Sequence, residues 1–583
     1  MKGNFKKYIR FMKPYLKYEI LIYILISISS ILALANPVLL QVIIDKILIL
    51  RQVYLLKYVL LIFAAFYLLD VLIQYVNGFL NMYLGQMISI KLRRQLLKHI
   101  QKVKMEELLE SKSGDLISKI TDDVSTVTAF LTSTVISVAT YSFNLLASAL
   151  FMLYIGSKLA VIAFIIAAVQ LLISVKFSKI TRKNQQAVRE KSAVHLGFLK
   201  QFLTSIKFIK AYDREKYFEI NYNKILNDLL HLSFKNFYIN FSYNTCMSMV
   251  SFLGSMSIFS FGVYFIVNGD MSVGALFVFD MVSERFYQFA SGLVNLNISL
   301  QGVIVSLQRL ESILNMEKEE FDGSRNEPES KTIRLENVSF KYSNEDDKNV
   351  LNSMSFEFKE GETYALVGSS GDGKTTIMNL LLRFYSPQCG GILLGDRDLT
   401  EMDLRYLRRR ISPVFQDVLL IDGTIEDNIR FGSKKAKAEG IKRAAQICCV
   451  DEFVKELPQG YQTKVGEKGE KLSAGQRQRI CLARAMLDDA DIYIFDEAFA
   501  NLDKRVEMKV FENLQKALKG KTQIYIGHNL KLIKNINNIV VIDKGKVEAA
   551  GRHEWLLEKS DMYRELYTRG ENEIKENKHV EAV

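Results

Sequence analysis

Hydrophobic positions along this chain fall into two regimes that change near residue 310. Crossing a bilayer takes about 20 consecutive apolar residues in a helix. Runs of this kind recur at 18–42, 54–77, 133–155, 159–175, 244–267 and 273–293. Pro37 lies inside the first run, a turn at Gly156–Lys158 separates the third from the fourth, and the short NGDMS turn separates the fifth from the sixth. The links after the second and fourth runs are long, helical in pattern and basic. One carries Lys91, Arg93, Arg94, Lys98, Lys102 and Lys104; the other carries Lys176, Lys179, Arg182, Lys183, Arg189, Lys191 and Lys200. Positive charge collects on cytoplasmic loops, so both long links and the N-terminus are expected on the cytoplasmic side. Six spans return the chain to that side.

Beyond this point the pattern changes. MEKEEFDGSRNEPES is polar, with Gly and Pro, and reads as a linker. IRLENVSFKY, VLNSMSFEF and TYALVG then show the short apolar stretches and turns of strands. The expected organisation is a membrane α-helical six-span bundle with long cytoplasmic helical extensions over 1–310, a linker over 311–330, an α/β domain over 331–570 and a flexible tail over 571–583.

Composition agrees with two unlike halves. The chain has 583 residues, of which 49% are hydrophobic and 24% charged. Its mean hydropathy of +0.07 is then an average over an apolar and a polar part. The net charge of +12 would suggest nucleic acid in a soluble protein. Here the basic residues sit on the cytoplasmic links, so membrane topology accounts for them and no nucleic-acid partner is expected. Cys246, Cys389, Cys448, Cys449 and Cys481 form no paired metal-ligand spacing and are expected as reduced thiols. The opening MKGNFKKYIRFMKPYLK lacks the short apolar core and small-residue site of a cleaved signal peptide. Few prolines, one tryptophan and abundant Lys and Ile suggest a bacterial cell membrane.

Candidate chemistry begins at Gly368-Ser369-Ser370-Gly371-Asp372-Gly373-Lys374-Thr375, a match to GxxxxGK[ST]. It follows the apolar stretch TYALV and opens the helical pattern TTIMNLLLRFY, the context a phosphate-binding loop requires. Glycines let the backbone wrap phosphates, the helix N-terminus adds partial positive charge, and Lys374 supplies a full one. Thr375 can ligate Mg²⁺, with Thr376 beside it. Further on, DIYIFDEA is an apolar strand ending in Asp496 and Glu497. Neighbouring residues on a strand point to opposite sides, so Asp496 is assigned to the metal and Glu497 to the attacking water. His528 ends another apolar stretch, TQIYIG, and Gln416 in PVFQD is a candidate metal ligand or water positioner.

Leu472-Ser473-Ala474-Gly475-Gln476-Arg477-Gln478-Arg479 resembles the signature motif of ABC ATPases, and with it the stretch 331–566 resembles an ABC nucleotide-binding domain. The resemblance implies a head-to-tail dimer in which Ser473, Gly475 and Gln476 of one protomer face ATP held by the other. It also implies that Tyr342 stacks on adenine, that Gln416 is the Q-loop glutamine, Asp503 the D-loop aspartate and His528 the switch histidine. Three departures stand out. Ala474 replaces a glycine, AFANLD stands where many relatives have ATSALD, and Asn529 replaces an arginine. Asp372 places an acid inside the phosphate loop, where it either weakens nucleotide binding or points to solvent. Residues 1–310 resemble the six-helix exporter domain of the same family. ESKSGDLISKITDDV and TSIKFIKAYDREKYF resemble its two intracellular loops, whose short coupling helices dock on the ATPase.

Acidic residues inside spans are costly and face a bundle interior. Asp70, Asp280 and Glu284 are candidate cargo residues, the last two at i, i+4 on one helix face. They either form a negatively charged cavity for cationic or amphipathic cargo, or pair internally, for example with Arg285, or sit in a wide aqueous vestibule. The combined expectation is an ATP- and Mg²⁺-dependent exporter of an amphipathic solute, in contact with membrane lipid and dimeric with a second copy of itself or a related half-transporter. An exporter-fold importer and an ATP-gated channel or regulator are the alternatives.

Overall fold

The computed structural model describes residues 13–321, 323, 325, 327–342, 348–433, 435–527 and 530–568. These belong to two compact units, Met1–Gln101 with Ser111–Met316, and Lys102–Glu110 with Glu317–Val583.

Among the described residues, the first unit has helices and turns and no strand. Its long helices are α1 (Leu16–Val42), α2 (Leu56–Ile100), α3 (Val135–Thr204), α4 (Glu215–Val267) and α5 (Val273–Leu314). Helix α3 is broken at Gly156, where φ −165° and ψ 86° leave the helical region, so the six apolar runs occupy six helical segments. Among the described residues, Leu16–Ile49, Leu55–Ile100, Ser113–Thr204 and Glu215–Val267 are long and apolar enough to cross a membrane. Helix α5, which carries Asp280, Glu284 and Arg285, is not among them. At 1.5 Å per residue the 45 residues of α2 extend about 68 Å. That is twice the hydrocarbon thickness of about 30 Å, so the basic link after the second run continues its helix beyond the bilayer.

Packing between these helices relies on small residues, as expected where lipid removes the hydrophobic drive for association. A Cβ on Gly262 would lie 2.2 Å from Leu276, and one on Gly254 would lie 3.1 Å from Ile166. Some polar groups inside the bundle find partners across helices. Pro37 has no N–H, so the carbonyl four residues earlier, Ala33, loses its helical donor. The guanidinium of Arg285 on α5 donates to that carbonyl at 2.6 Å. The start of α5 is held to the segment after α1 as well. Asp45 accepts the Ser272 hydroxyl at 2.5 Å and the Gly274 N–H at 2.8 Å, which occupies donors a helix N-terminus leaves open.

The second unit contains two sheets. The antiparallel sheet has the order β2-β1-β4-β5, with β1 Ile333–Phe340, β2 Leu351–Phe358, β4 Cys389–Leu394 and β5 Arg397–Asp398. The larger sheet has the order β10-β9-β3-β8-β7-β6, with β3 Thr363–Gly368, β6 Ile411–Val414, β7 Ile492–Asp496, β8 Thr522–Ile526, β9 Asn538–Asp543 and β10 Lys546–Gly551. Its strands are parallel except β10, and β3, β7 and β8 are buried along nearly their whole length, as a sheet covered on both faces requires.

Two segments that composition assigns elsewhere are part of this second unit. Lys102–Glu110, within the first basic link, is fastened to the stretch after Met316. Lys104 N–H donates to Glu317 O at 2.9 Å, Glu319 N–H donates to Lys102 O at 2.7 Å, and Lys104 pairs with Glu317 at 2.5 Å. The polar stretch read as a linker is itself anchored: Glu319 pairs with Arg408 at 2.6 Å and Arg325 with Asp403 at 2.9 Å.

Arg285→Ala is expected to destabilise the protein, because it leaves the Ala33 carbonyl without a donor inside the bundle. Adding Pro37→Ala restores a backbone N–H to that carbonyl, so the double variant should recover part of the loss. A thermal-unfolding double-mutant cycle in detergent should give a coupling of about 1 kcal/mol, the scale of interhelical hydrogen bonds in membranes; additive effects would contradict the pairing.

Candidate active site

Strands β3, β8 and β7 lie side by side, and their carboxyl ends are in register: Leu366 pairs with Ile526 and Ile526 with Asp496. Ligands of open α/β sheets bind at such carboxyl edges. The phosphate-binding loop turns from β3 into α6 (Lys374–Leu381), and it needs glycine at specific places. Gly371 and Gly373 adopt φ 92° and 95°, and a Cβ on Gly368 would lie 2.3 Å from the Ile542 carbonyl oxygen.

Lys374 is 6% exposed and its ammonium donates to the carbonyls of Gly368 at 3.0 Å and Ser369 at 2.7 Å. Burial pulls its pKa down, while the carboxylates of Asp372, Glu497 and Asp496 act to keep it charged. Asp372 is half-buried and hydrogen-bonded to backbone. Its carboxylate accepts the Ser369 N–H at 2.6 Å and the Lys544 N–H at 3.4 Å, so it ties the loop to itself and to the β9–β10 turn.

Asp496 ends β7 at 1% exposure. Burial raises its pKa, opposed by a hydrogen bond from the Thr375 hydroxyl. Its Oδ2 is buried without a hydrogen-bond partner among the described residues. A buried carboxylate oxygen with an unmet demand, beside a hydroxyl, is a fitting donor set for Mg²⁺, a hard cation that takes oxygen ligands.

Glu497 diverges from Asp496 for a reason other than strand alternation. The strand stops at Asp496, and Glu497 takes φ 46°, a left-handed conformation uncommon outside glycine and frequent at functional sites. Its Oε2 accepts the Gln416 amide N–H at 2.7 Å, which brings the two predicted water-handling residues together. His528 follows β8 and lies outside the described residues.

The other predicted nucleotide contacts are distributed around this centre. Tyr342 lies against α6: its hydroxyl is 2.9 Å from Thr376 Oγ1 and accepts from Asn379 Nδ2 at 3.3 Å, and its ring meets Phe340 and Tyr385 edge-on at 5.0 Å. Ser370 lies in the loop between Ser369 and Gly371. Ser473 caps α7 (Ala474–Met486) in a reciprocal box with Gln476: the Gln476 N–H donates to Ser473 Oγ at 3.2 Å, and the Ser473 N–H to Gln476 Oε1 at 2.9 Å. Gly475 packs on the chain before Asp503, where a Cβ would lie 2.8 Å from the Asn501 carbonyl oxygen. Asp503 is exposed at the start of α8 (Lys504–Ala517). Sequence reasoning passed over Gln478, which is 1% exposed and bonded to the Glu497 backbone. Its position in the signature run marks it, and only burial shows its use.

Among the acidic residues of the membrane unit, Asp70 accepts from Ser29 at 2.5 Å and from Gln74 at 2.8 Å. Asp280 has a buried Oδ1 without a partner among the described residues, and Glu284 is exposed. Arg285 turns to Ala33 and donates to its backbone carbonyl.

Two family models match the chain: an ABC transporter transmembrane region over residues 20–289 and an ABC transporter model over 351–500. The chain is 32% identical over 562 residues to an ATP-dependent lipid A-core flippase of Syntrophus aciditrophicus (strain SB), covering 95% of this chain and 91% of the relative. It is 29% identical to a putative multidrug export ATP-binding/permease protein, YgaD, of Bacillus subtilis (strain 168), covering 97% and 99%. It is 31% identical to the leukotoxin translocation ATP-binding protein LktB of Mannheimia haemolytica, covering 91% and 75%. A solved structure of a bacterial Atm1-family ABC exporter with ATP bound matches the fold at a TM-score of 0.82, with 23% identity over 96% of this chain and 98% of that one.

Asp496→Asn keeps the size of the side chain and removes its charge. Added Mg²⁺ should tighten ATP binding to the parent and should fail to do so for this variant, measured by nucleotide titration with and without chelator. Asp372→Ser should not improve ATP affinity, because the native carboxylate faces backbone N–H groups; a clear gain in affinity would show that it opposes phosphate instead.

Proposed function

This chain belongs to the ABC transporter family, and on that premise we propose that it is an exporter half that carries a cationic or amphipathic solute out of the cytoplasm as a homodimer. It is a membrane protein with an ATP-hydrolysing domain fused to its helical half. The observation that supports the hydrolytic reading most directly is the convergence of Lys374, Thr375, Asp496, Glu497 and Gln416 at one sheet edge.

The chemistry proposed for these residues is positional. Gly368–Thr375 wraps the phosphates with backbone N–H groups at the start of α6, and Lys374 offsets their charge. Thr375, Asp496 and Gln416 would hold Mg²⁺, which when bound neutralises charge that develops on the transferred phosphoryl group. Glu497, oriented by Gln416, aligns the attacking water and takes its proton. Tyr342 supplies an aromatic face for adenine, and Ser473, Gly475, Gln476 and Asp503 are assigned to the nucleotide of the partner protomer. His528 is assigned to the γ-phosphate.

The membrane domain is taken as 1–310, with the N-terminus and ATPase domain in the cytoplasm. Asp70 and Asp280 are assigned to the cargo path, with Glu284 beside them. Asp280 supports this reading because a buried carboxylate oxygen without a partner favours a cationic ligand.

The full chain, purified alone in lipid nanodiscs, should hydrolyse ATP with Mg²⁺, and Glu497→Gln should lower the rate about a hundredfold or more. Inactivity of a folded, ATP-binding protein would contradict the homodimer. Asp70→Asn and Asp280→Asn should each raise the concentration of a cationic amphiphile needed to stimulate hydrolysis by about tenfold; unchanged stimulation curves would remove these residues from the cargo path.

A further inference from the structure

Glu497 is followed by a tight turn to Asn501, and both ends of that turn are bound by one side chain. Gln478, on α7, donates its Nε2–H to the Glu497 carbonyl at 3.0 Å. Its Oε1 accepts the Asn501 N–H, also at 3.0 Å. The side chain is 1% exposed, so neither bond has water as a ready substitute. A second contact lies on the same helix turn, where Gly475 approaches the Asn501 carbonyl so closely that a Cβ would sit 2.8 Å away.

The turn held in this way is one that needs holding. Glu497 sits at φ 46°, outside the favoured regions for a residue with a Cβ. Its own N–H is anchored to the Ile526 carbonyl of β8 at 2.9 Å. The carboxylate therefore projects from a backbone fixed on one side by the sheet and on the other by Gln478. Asp496 does not share this dependence, because β7 pairs it directly with Ile526.

We propose that Gln478 is a positioning residue for ATP hydrolysis: it registers the left-handed turn at Glu497 to the signature helix, so that displacement of the helix start at Ser473–Gly475 moves the Glu497 carboxylate relative to the attacking water. This rests on the reading of Glu497 as the hydrolytic base. Gln478 touches neither nucleotide nor metal in this assignment and acts only through the backbone of Glu497 and Asn501. It gives the Ser473–Gly475 turn, which is assigned to one nucleotide, a direct mechanical line to the residue that hydrolyses the other.

Two variants of the full chain in nanodiscs test it. Gln478→Leu keeps a side chain of similar bulk, one atom shorter, and removes both the donor and the acceptor. Gln478→Glu keeps the acceptor for Asn501, and donates to the Glu497 carbonyl only while its carboxyl group is protonated. For Gln478→Leu, kcat should fall about tenfold or more while ATP affinity stays within about twofold of the parent, a split that marks a loss in the transition state. For Gln478→Glu, activity relative to the parent should climb as pH falls from about 8.5 to about 6, since acid restores the donor. An unchanged kcat, a joint fall of kcat, ATP affinity and thermal stability, or a pH-independent ratio would each overturn the proposal. Glu497→Gln in the same assay separates the two readings: if it retains full hydrolysis, the assignment of Glu497 fails on its own.

Discussion

A buried ammonium surrounded by carboxylates is the feature around which the ATPase unit is organised. Lys374 is withdrawn from water, and its charge is sustained by Asp372, Asp496 and Glu497. Such a group is costly in isolation. Each structural element near it answers that cost. Three parallel strands end in register, the glycines of the loop let carbonyls reach the ammonium, and the sheet fixes Asp496 while a left-handed turn sends Glu497 elsewhere. Asp372, an unusual acid inside a phosphate loop, contributes by bracing the loop from behind.

The helical unit is governed by a related constraint, since lipid offers no hydrogen bonds. The proline in α1 frees a carbonyl, and an arginine from α5 supplies the donor. At the start of α5, Asp45 accepts the Gly274 N–H and Ser272 Oγ accepts that of Ala275. The last long helix of this unit is thereby joined by polar contacts to the first and to the segment just after it. The chain passes between the two units at Gln101–Lys102, Glu110–Ser111 and Met316–Glu317. In the second unit, the strands of chain beside these passages are hydrogen-bonded to one another. The ESKSGDLISKITDDV stretch contains one short helix, Ser113–Ser118, and a second, Met105–Glu110, lies just ahead of it in the chain.

Much of this was legible in the sequence, and the exceptions have physical reasons. Six apolar runs and the Gly156 break follow from hydropathy and a turn, and the strand–loop–helix around Gly368–Thr375 and the end of β7 at Asp496 follow from motif and strand context, whereas the left-handed turn at Glu497 does not. What the sequence could not show are interactions between residues far apart along the chain. The partner of Arg285 is a backbone carbonyl 252 positions away, so charge pairing was the natural but unsupported guess. Asp372 reads as an obstacle until its backbone partners are seen. Gln478 looks like one polar residue among several in QRQR, and its importance lies in burial. The polar stretch 311–330 has the composition of a tether, yet Glu319 and Arg325 fasten it to the ATPase unit.

The central proposal is that ATP turnover at this sheet edge drives solute across a membrane in one direction. The most direct measurement is flux of a fluorescent cationic amphiphile into sealed proteoliposomes with ATP supplied outside, where only chains with an outward-facing ATPase domain respond. The account predicts ATP- and Mg²⁺-dependent accumulation against a gradient, absent in Glu497→Gln. Sustained nucleotide-gated ion conductance without solute accumulation, or ATP-driven movement of solute in the opposite sense, would contradict it.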